Sequence, residues 1–279
     1  MPSYVIVGAS RGIGFALVKK LVEDERNTVV GLVRNVDGTK AKYEAELQGH
    51  KNLHVVYGDL SNIKSLEAAA GKVAAITNGA VDVFVANAAI GSTVTKPLVA
   101  EITDAPDAYE KSMLDTFRTN VIGTTSAVAY FAPLVAKSTL KKIAVISTGV
   151  ADLEFTLKSG FDVHTPYAAS KAALNMAVAK LHLGLRDKGV TVFAISPGLV
   201  DTGFTEDPSV PPPTEAQEAA KLAETMRMLG QFKAYAPNWE LRMMTPDESA
   251  EAVLKVIAGA TLEKNGGIMV SHYGDQNWL

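Results

Sequence analysis

Tyr167 and Lys171 stand four positions apart in the run TPYAASKAALN, which begins at position 165. On a helix, residues four apart lie on one face, so the phenol and the ammonium would be within reach of each other. A free tyrosine titrates at a pKa of about 10, and a nearby cation favours the phenolate and lowers that pKa. The pair therefore predicts a proton donor for acid–base catalysis, and its alternative is a half-buried tyrosine beside a solvated lysine.

The elements that would position this pair are short β-branched runs alternating with helical periodicity. Strands that are apolar on both faces and separated by helices indicate a parallel sheet covered on both sides. The predicted strands are 3–7, 28–33, 53–57, 81–86, 142–147, 190–196 and 267–271. The predicted helices are 12–24, 38–48, 61–77, 106–136, 166–187 and 246–260. The expected fold is α/β: a single domain (1–279) with a Rossmann-type, doubly wound, parallel seven-stranded sheet flanked by helices.

One segment interrupts this alternation. The proline run in EDPSVPPPTEAQ (206–217) cannot extend a helix or a sheet, and the alternation resumes after it. We interpret 203–245 as a substrate lid inserted in the domain, since long loops in compact domains are usually functional. Its apolar residues either close over a substrate or pack onto the body of the protein. They are Phe204, Met226, Met228, Leu229, Phe232 and Trp239.

Composition excludes several classes of function. The 279 residues contain no cysteine, which excludes disulfides, thiolate metal sites and a cysteine nucleophile. With a formal net charge of −3 and no basic block, neither a nucleic acid nor a membrane is an expected partner. No apolar run is as long as a membrane span, and no leader pattern precedes the first strand, so we expect a cytoplasmic protein. His50 and His54 lack further ligands, and no metal site is predicted.

A glycine-rich loop, VGASRGIG, follows the first predicted strand. Gly8, Gly12 and Gly14 would let the backbone turn sharply, approach a pyrophosphate and pack the next helix against the sheet. The spacing G-x-x-x-G-x-G differs from the G-x-G-x-x-G fingerprint, and a tight strand-to-helix turn needs glycine in any case. The strand before the loop and the helix after it favour a dinucleotide site.

The second predicted strand ends without the carboxylate that commonly holds the ribose of NAD. It ends at Val33, Arg34 and Asn35, and the first acid is Asp37. A guanidinium suits a phosphate dianion, which Arg11 of the glycine loop could approach from the other side. We therefore predict NADP(H) as the cofactor in preference to NAD(H). The alternative is that both arginines are solvated loop residues.

Seven motifs carry a family resemblance. They are GASRGIG (8–14), GDL (58–60), ANAA (86–89), TNVIG (119–123), VIST (145–148), YAASK (167–171) and SPGLVDT (196–202). In this order they resemble the short-chain dehydrogenase/reductase family over essentially the whole chain. More narrowly, the chain is similar to fungal ketoreductases related to norsolorinic acid ketoreductase.

The resemblance implies a set of cofactor-binding residues. Asp59 would accept a hydrogen bond from the adenine amino group, or else serve only to start the helix that follows. Asn87 would hold its turn near the ribose, and 197–202 would pass along the nicotinamide. The full implied set is Gly8, Ser10, Arg11, Gly12, Ile13, Gly14, Arg34, Asn35, Asp59, Leu60, Asn87, Ala88, Tyr167, Lys171, Pro197, Gly198, Val200 and Thr202.

The resemblance also implies catalytic residues, which are Asn120, Ser147 or Thr148, Tyr167 and Lys171. Lys171 would both activate the phenol and hold the nicotinamide ribose. Asn120 would bind a water behind Lys171, or else satisfy a backbone group as a buried helix residue. Thr148 occupies the second position of the family's usual Ser-Ser pair, so we rank it above Ser147 as the catalytic hydroxyl.

The chain departs from the family between Thr148 and Tyr167, an interval longer than usual. The added ADLEFTLKSGFDVH brings Phe155, Phe161 and His164 near the site. These residues would either shape a pocket for a bulky substrate or anchor a surface loop with its own aromatic rings.

Together these patterns predict reversible, NADPH-dependent reduction of a ketone or aldehyde to an alcohol, with an apolar or aromatic small molecule as substrate. The alternatives are NADP-dependent oxidation of a secondary alcohol and a non-catalytic NADP(H)-sensing protein. The resemblance further implies a homodimer or homotetramer assembled through the helices at 106–136 and 166–187.

Overall fold

The computed structural model describes residues 1–47, 49–92, 96–202 and 214–279. Seven strands form one sheet in the order β3-β2-β1-β4-β5-β6-β7, and every neighbouring pair is parallel. The strands are β1 (Ser3–Val7), β2 (Thr28–Val33), β3 (Leu53–Tyr57), β4 (Val83–Ala86), β5 (Lys142–Ile146), β6 (Thr191–Ser196) and β7 (Met269–Ser271). The predicted fold class is confirmed, with strand ends that differ by at most two residues.

The helices that surround the sheet include five of the six predicted ones as single helices. They are α1 (Gly12–Val22), α2 (Val36–Glu46), α3 (Ile63–Ile76), α4 (Leu98–Asp104), α5 (Pro106–Thr116), α6 (Thr124–Ala136), α7 (Leu153–Ser159), α8 (Thr165–Leu185), α9 (Glu215–Tyr235), α10 (Pro246–Gly259) and α11 (Leu262–Asn265). The prediction of one regular helix over 106–136 was wrong, because a π-helical segment at Phe117–Gly123 separates α5 from α6. Such segments are frequent at functional sites.

The core lies on both faces of the sheet, because successive side chains of a strand point to opposite faces. In β1, Val5 and Val7 pack into the cluster that contains Phe84 and Phe131, whereas Ile6 packs into the other cluster. The rings of Phe84 and Phe131 stack with centroids 4.8 Å apart. Burial on both faces explains why the strands consist almost entirely of apolar residues.

The strand order reverses between β1 and β4, which makes that point the switch of the doubly wound sheet. In open parallel sheets, ligands bind outside the carboxyl ends of the strands at this switch. The loops that follow β1, β4, β5 and β6 all emerge at this edge, so the fold gathers most of the predicted site residues there.

Candidate active site

The glycine loop after β1 requires glycine at its predicted positions. Gly8 and Gly12 have positive φ angles of 78° and 55°, which L-residues with side chains rarely adopt. A Cβ on Gly14 would lie 2.1 Å from the carbonyl oxygen of Gly8, so the loop closes onto the helix without room for a side chain. The loop therefore has the close-packed turn that a pyrophosphate-binding backbone needs.

Helix α1 begins at this loop with its amides free of side-chain capping. Arg11 is the N-cap residue, in extended conformation, and no side chain caps the helix; the first turn contains no acid. Ile13 follows in the first turn and packs its side chain toward the core. An uncapped helix N-terminus favours an anion, because its first amides and the helix dipole both carry positive partial charge.

The turn after β4 is tied to the glycine loop. The Asn87 side chain donates to the carbonyl oxygens of Val7 at 3.3 Å and Gly8 at 3.2 Å. A Cβ on Gly8 would lie 2.7 Å from the Cβ of Ala88. Asn87 thus holds the two loops of the switch point against each other, as the interpretation of its turn predicts.

The end of β2 leaves Arg34 exposed, and no hydrogen bond or ion pair joins its side chain to another described residue. Asn35 caps α2, since its Oδ1 accepts a hydrogen bond from the amide of Gly38 at 2.9 Å. The oxygen of the Asn35 side chain therefore already has a structural partner, whereas the Arg34 guanidinium has none among the described residues.

The GDL motif after β3 has a structural role in the fold. One oxygen of Asp59, Oδ1, accepts hydrogen bonds from the amide and the hydroxyl of Ser61, at 2.9 and 2.8 Å. Leu60 is buried, and a Cβ on Gly123 would lie 2.2 Å from its carbonyl oxygen. The alternative in which Asp59 shapes the loop before α3 is thus present in the structure, with the second carboxylate oxygen left for any nucleotide contact.

The two candidate hydroxyls after β5 have different partners. The Thr148 side chain hydrogen-bonds to the phenol of Tyr167. The Ser147 hydroxyl is buried and donates to Oδ1 of Asn175 at 2.6 Å. This geometry brings Thr148 and Tyr167 together and gives the Ser147 hydroxyl a separate partner, and the ranking of the two hydroxyls stays a prediction.

Lys171 is buried beneath this pair. Its Nζ donates to the carbonyl oxygen of Ile146 at 2.7 Å and lies 5.9 Å from the centroid of the Tyr167 ring. That carbonyl is the only hydrogen-bond acceptor for Lys171 among the described residues, which leaves two of its three N–H donors for a ligand. Burial lowers the pKa of Lys171 to about 7.

The expectation that Lys171 lowers the pKa of Tyr167 was wrong for the chain without a nucleotide. Burial raises the pKa of Tyr167 to about 12, and the hydrogen bond from Thr148 offsets this only in part. The reason is that low-dielectric surroundings disfavour both charged forms, the phenolate and the ammonium. Both groups therefore favour their neutral forms more than free side chains do.

Asn120 lies in the π-helical segment and is fully buried. Its Oδ1 accepts from the amide of Ile90 at 2.9 Å, and its Nδ2 donates to the Ile90 carbonyl and to the Ser170 hydroxyl, both at 3.0 Å. Ser170 in turn donates to the carbonyl of Tyr167 at 2.7 Å. The side chain therefore matches the alternative of a satisfied buried asparagine, and it also links α8 to the loop after β4.

The loop after β6 lies across the glycine loop. Ser249 of α10 donates to the carbonyl of Pro197 at 2.8 Å, and Val200 forms a bridge to Met244. Gly198 has a φ of 88°, and a Cβ there would lie 2.6 Å from the sulfur of Met244. A Cβ on Gly12 would lie 3.4 Å from the Cβ of Thr202, so Thr202 borders the glycine loop.

The predicted lid is described from residue 214 onward, and Phe204 lies outside the described residues. Phe232 of α9 is buried against Phe155 and Phe161, with ring centroids 5.2 and 5.4 Å away. Met226 is 58% exposed, so it does not pack onto the body of the protein. The inserted segment 151–164 is thus anchored by the lid helix, through rings that are buried and do not line the cavity described next.

A cavity of about 710 Å³ lies beside this aromatic cluster. Its walls include Leu199 from the loop after β6, Trp239, His272 from the end of β7, and Trp278. A Cβ on Gly149 would lie 2.7 Å from the Cβ of Trp278, so this wall packs against the residue that follows Thr148. The lining combines the aromatic rings of Trp239, Tyr273 and Trp278 with the charged side chains of Glu240, Arg242 and Asp275.

Sequence reasoning missed several residues of the site. Asn175 continues the spacing of Tyr167 and Lys171 by four more positions, so extending the helical face would have found it as the partner of Ser147. Ser170 stands inside the quoted YAASK motif. No local sequence pattern indicated Trp278, because its contact with Gly149 joins segments that are far apart along the chain.

The described ranges contain neither a candidate metal cluster nor a helix that could span a membrane. No group of three or more histidine, aspartate or glutamate side chains within these ranges could hold a metal ion. Among the same residues, no helix combines the length and the apolar character needed to span a bilayer.

Comparison with known proteins establishes the family. The model of the short chain dehydrogenase family matches residues 3–210. Short chain dehydrogenase virK of Hypocrea virens is 36% identical over 281 residues, and short-chain dehydrogenase/reductase AacuF of Aspergillus aculeatus is 39% identical over 281 residues; both matches cover 100% of each chain. The NADPH bound carbonyl reductase from chicken fatty liver shares the fold, with a TM-score of 0.75, 22% identity, and coverage of 99% of this chain and 98% of that one. The chain belongs to the short-chain dehydrogenase/reductase family of oxidoreductases.

Proposed function

We propose that this protein reduces a ketone or aldehyde to an alcohol with NADPH. The observation that carries the proposal is the hydrogen bond between Thr148 and Tyr167, which brings two hydroxyls to one point at the carboxyl edge of the sheet, above the buried Lys171. Two converging hydroxyls suit a single carbonyl oxygen, since one can donate a proton while the other donates a hydrogen bond.

The residues present fit a dinucleotide. The glycine loop leaves no space for a Cβ at Gly14, and the uncapped start of α1 faces the same crevice. Arg34 would hold the 2′-phosphate, and the two unused N–H donors of Lys171 would hold the nicotinamide ribose. When bound, the reduced nucleotide supplies a hydride to the carbonyl carbon.

The chain's own contribution is the proton. With a pKa raised to about 12, Tyr167 is a neutral phenol at physiological pH and can donate its proton. The alkoxide oxygen that forms on the substrate is a much stronger base than a phenolate, so transfer from Tyr167 is favourable. Thr148 donates a hydrogen bond to the same oxygen, and Lys171, with a pKa of about 7, returns a proton to Tyr167.

Protonated Tyr167, which predominates at neutral pH, is the form that reduction requires. The same site would catalyse the alternative, oxidation of the alcohol, through the reverse proton transfer.

The cavity beside Gly149 supports an apolar or aromatic carbonyl substrate. Its volume of about 710 Å³ falls in the range of small-molecule sites, and Trp239, Tyr273 and Trp278 supply aromatic walls. The guanidinium of Arg242 is already paired with Glu240 at 3.3 Å and Glu248 at 3.1 Å. An uncharged substrate therefore suits this lining better than an anionic one.

The experiment compares two variants that each remove one hydroxyl. Thr148→Val keeps the shape of the side chain, and we expect it to lower kcat/KM for aryl ketones by about 10² or more. Ser147→Ala is the matched control, because its hydroxyl bonds to Asn175, and we expect a loss of less than about tenfold. NADPH binding without consumption by any carbonyl compound would instead identify a sensor.

A further inference from the structure

The side chain of Lys42 reaches from α2 to the glycine loop. Its Nζ donates to the carbonyl oxygen of Ser10 at 3.3 Å and lies 4.0 Å from the centroid of the Phe15 ring. Only 33% of the side chain is exposed. The ammonium is therefore held at the loop, with its aliphatic stem covered.

The next residue of α2 makes a parallel contact, since the Tyr43 hydroxyl donates to the carbonyl of Ala9 at 2.8 Å. In a trans peptide the C=O and N–H groups point to opposite sides, and the described chain contains no cis peptide. With the carbonyls of Ala9 and Ser10 turned toward α2, the amides of Ser10 and Arg11 point away from it. Helix α2 thus orients the loop amides that would face a pyrophosphate.

Arg34 follows β2, the strand that pairs with β1 ahead of the glycine loop. The sheet register pairs Val7 with Leu32, and the amide of Gly8 donates to the carbonyl of Leu32 at 2.9 Å. The residues after Val33 therefore run beside the glycine loop, and α2 begins directly after them at Val36. The acid that pairs with Lys42 is Glu46, at 4.0 Å and half-exposed, which leaves the ammonium largely uncompensated.

We propose that Lys42 is a specificity-determining residue, which together with Arg34 binds the 2′-phosphate that distinguishes NADPH from NADH. Two cations beside a glycine loop suit a phosphate dianion, and their charges would add little to the binding of a ribose that lacks it. The proposal rests on the proposed function, in which the nucleotide is NADP(H).

The test measures dissociation constants for NADPH and NADH with the folded full-length chain. Lys42→Met keeps an unbranched stem over Phe15 and removes the charge, and we expect NADPH to bind about tenfold more weakly while NADH changes by less than about twofold. Lys42→Arg should retain NADPH affinity within about threefold. Lys40→Met is the matched control: it removes the same charge from an exposed position of the same helix and should leave both constants unchanged.

The ratio of the two constants separates specificity from a purely structural role. If Lys42→Met weakens NADPH and NADH equally, Lys42 only fastens the loop and the proposal is wrong; no change in either constant also contradicts it. If the wild-type chain binds NADH as tightly as NADPH, or binds neither, the NADPH assignment of the proposed function itself fails.

Discussion

The nucleotide side and the substrate side of the crevice are held together by different forces. On the nucleotide side, the loops after β1 and β4 meet through glycines without room for a Cβ and through the Asn87 side chain on two backbone carbonyls. On the substrate side, Phe155, Phe232 and Trp278 come from three distant segments and pack as one aromatic cluster. Backbone geometry holds the loops of the first region together, whereas side-chain burial stabilises the second. Substitutions in the two regions should therefore affect ligand binding and stability differently.

The largest expected effect lies where the two regions meet, at Tyr167. Tyr167→Phe keeps the ring and removes the proton donor, so kcat for ketone reduction should fall by about 10² to 10⁴, or about 3 to 5 kcal/mol of barrier. The dissociation constant for NADPH should change little, because the glycine loop and Arg34 are untouched. Turnover, nucleotide titration and a melting curve on the same preparation measure this. A variant with wild-type turnover would make the Tyr–Lys pair structural.

The second effect concerns the aromatic cluster. Phe232 is 2% exposed, and Phe232→Ala should lower the free energy of unfolding by about 3 kcal/mol, the usual cost of truncating a buried phenylalanine. Met226→Ala on the same helix is the control, since that side chain is 58% exposed and should cost less than about 0.5 kcal/mol. Denaturant unfolding gives both values.

The same pair of variants also tests the separation of the two regions. In Phe232→Ala, the KM for an aryl ketone should rise while NADPH affinity stays constant, because the ring contacts Phe155 and Phe161 of the inserted segment and Trp239 of the lid. Equal losses of ketone and nucleotide binding would show that the cluster also supports the nucleotide side, and the contrast between the regions would not hold.

This contrast explains how much could be predicted from the sequence. The strands, the glycine loop and the Tyr167–Lys171 pair are local patterns, in which period, spacing and glycine position carry the information. The contact of Trp278 with Gly149 joins positions more than a hundred residues apart, and no local pattern encodes it. The π-helical segment at 117–123 was missed because its composition does not differ from that of an ordinary helix.

The pKa values of Tyr167 and Lys171 could not be predicted from the sequence for a related reason. The spacing of Tyr167 and Lys171 places the two groups on one helix face, but it does not report the burial that raises one pKa and lowers the other. Burial depends on β5, the π-helical segment and the inserted segment together. A pKa expected from proximity alone therefore had the wrong direction.

The smallest expected effect is the change in the free energy of unfolding for each unit of pH. It bears on the comparison of the two regions because Lys171 is buried where they meet. Burial lowers the pKa of Lys171 from 10.5 to about 7, so between these values the unfolded chain binds more protons than the folded chain. Stability attributable to Lys171 must then rise with pH, by up to about 1.4 kcal/mol per pH unit, and be independent of pH below about 7. The raised pKa of Tyr167 acts in the opposite direction only above about pH 10, which leaves a clear window from about pH 7 to about pH 9.

Lys171→Met isolates this contribution, because the variant retains every other titrating group, including Lys142 with its own lowered pKa. We expect the variant to be at least as stable as the wild type at about pH 7, since no buried amine must lose water or a proton, and to lose that advantage steadily toward about pH 9. The measurement is the difference in free energy of unfolding between the two proteins from denaturant titrations across this window. If the difference in free energy of unfolding does not change with pH, water reaches the ammonium of Lys171 in the folded chain. Lys171 would then line the open crevice and would not be packed where the two regions meet.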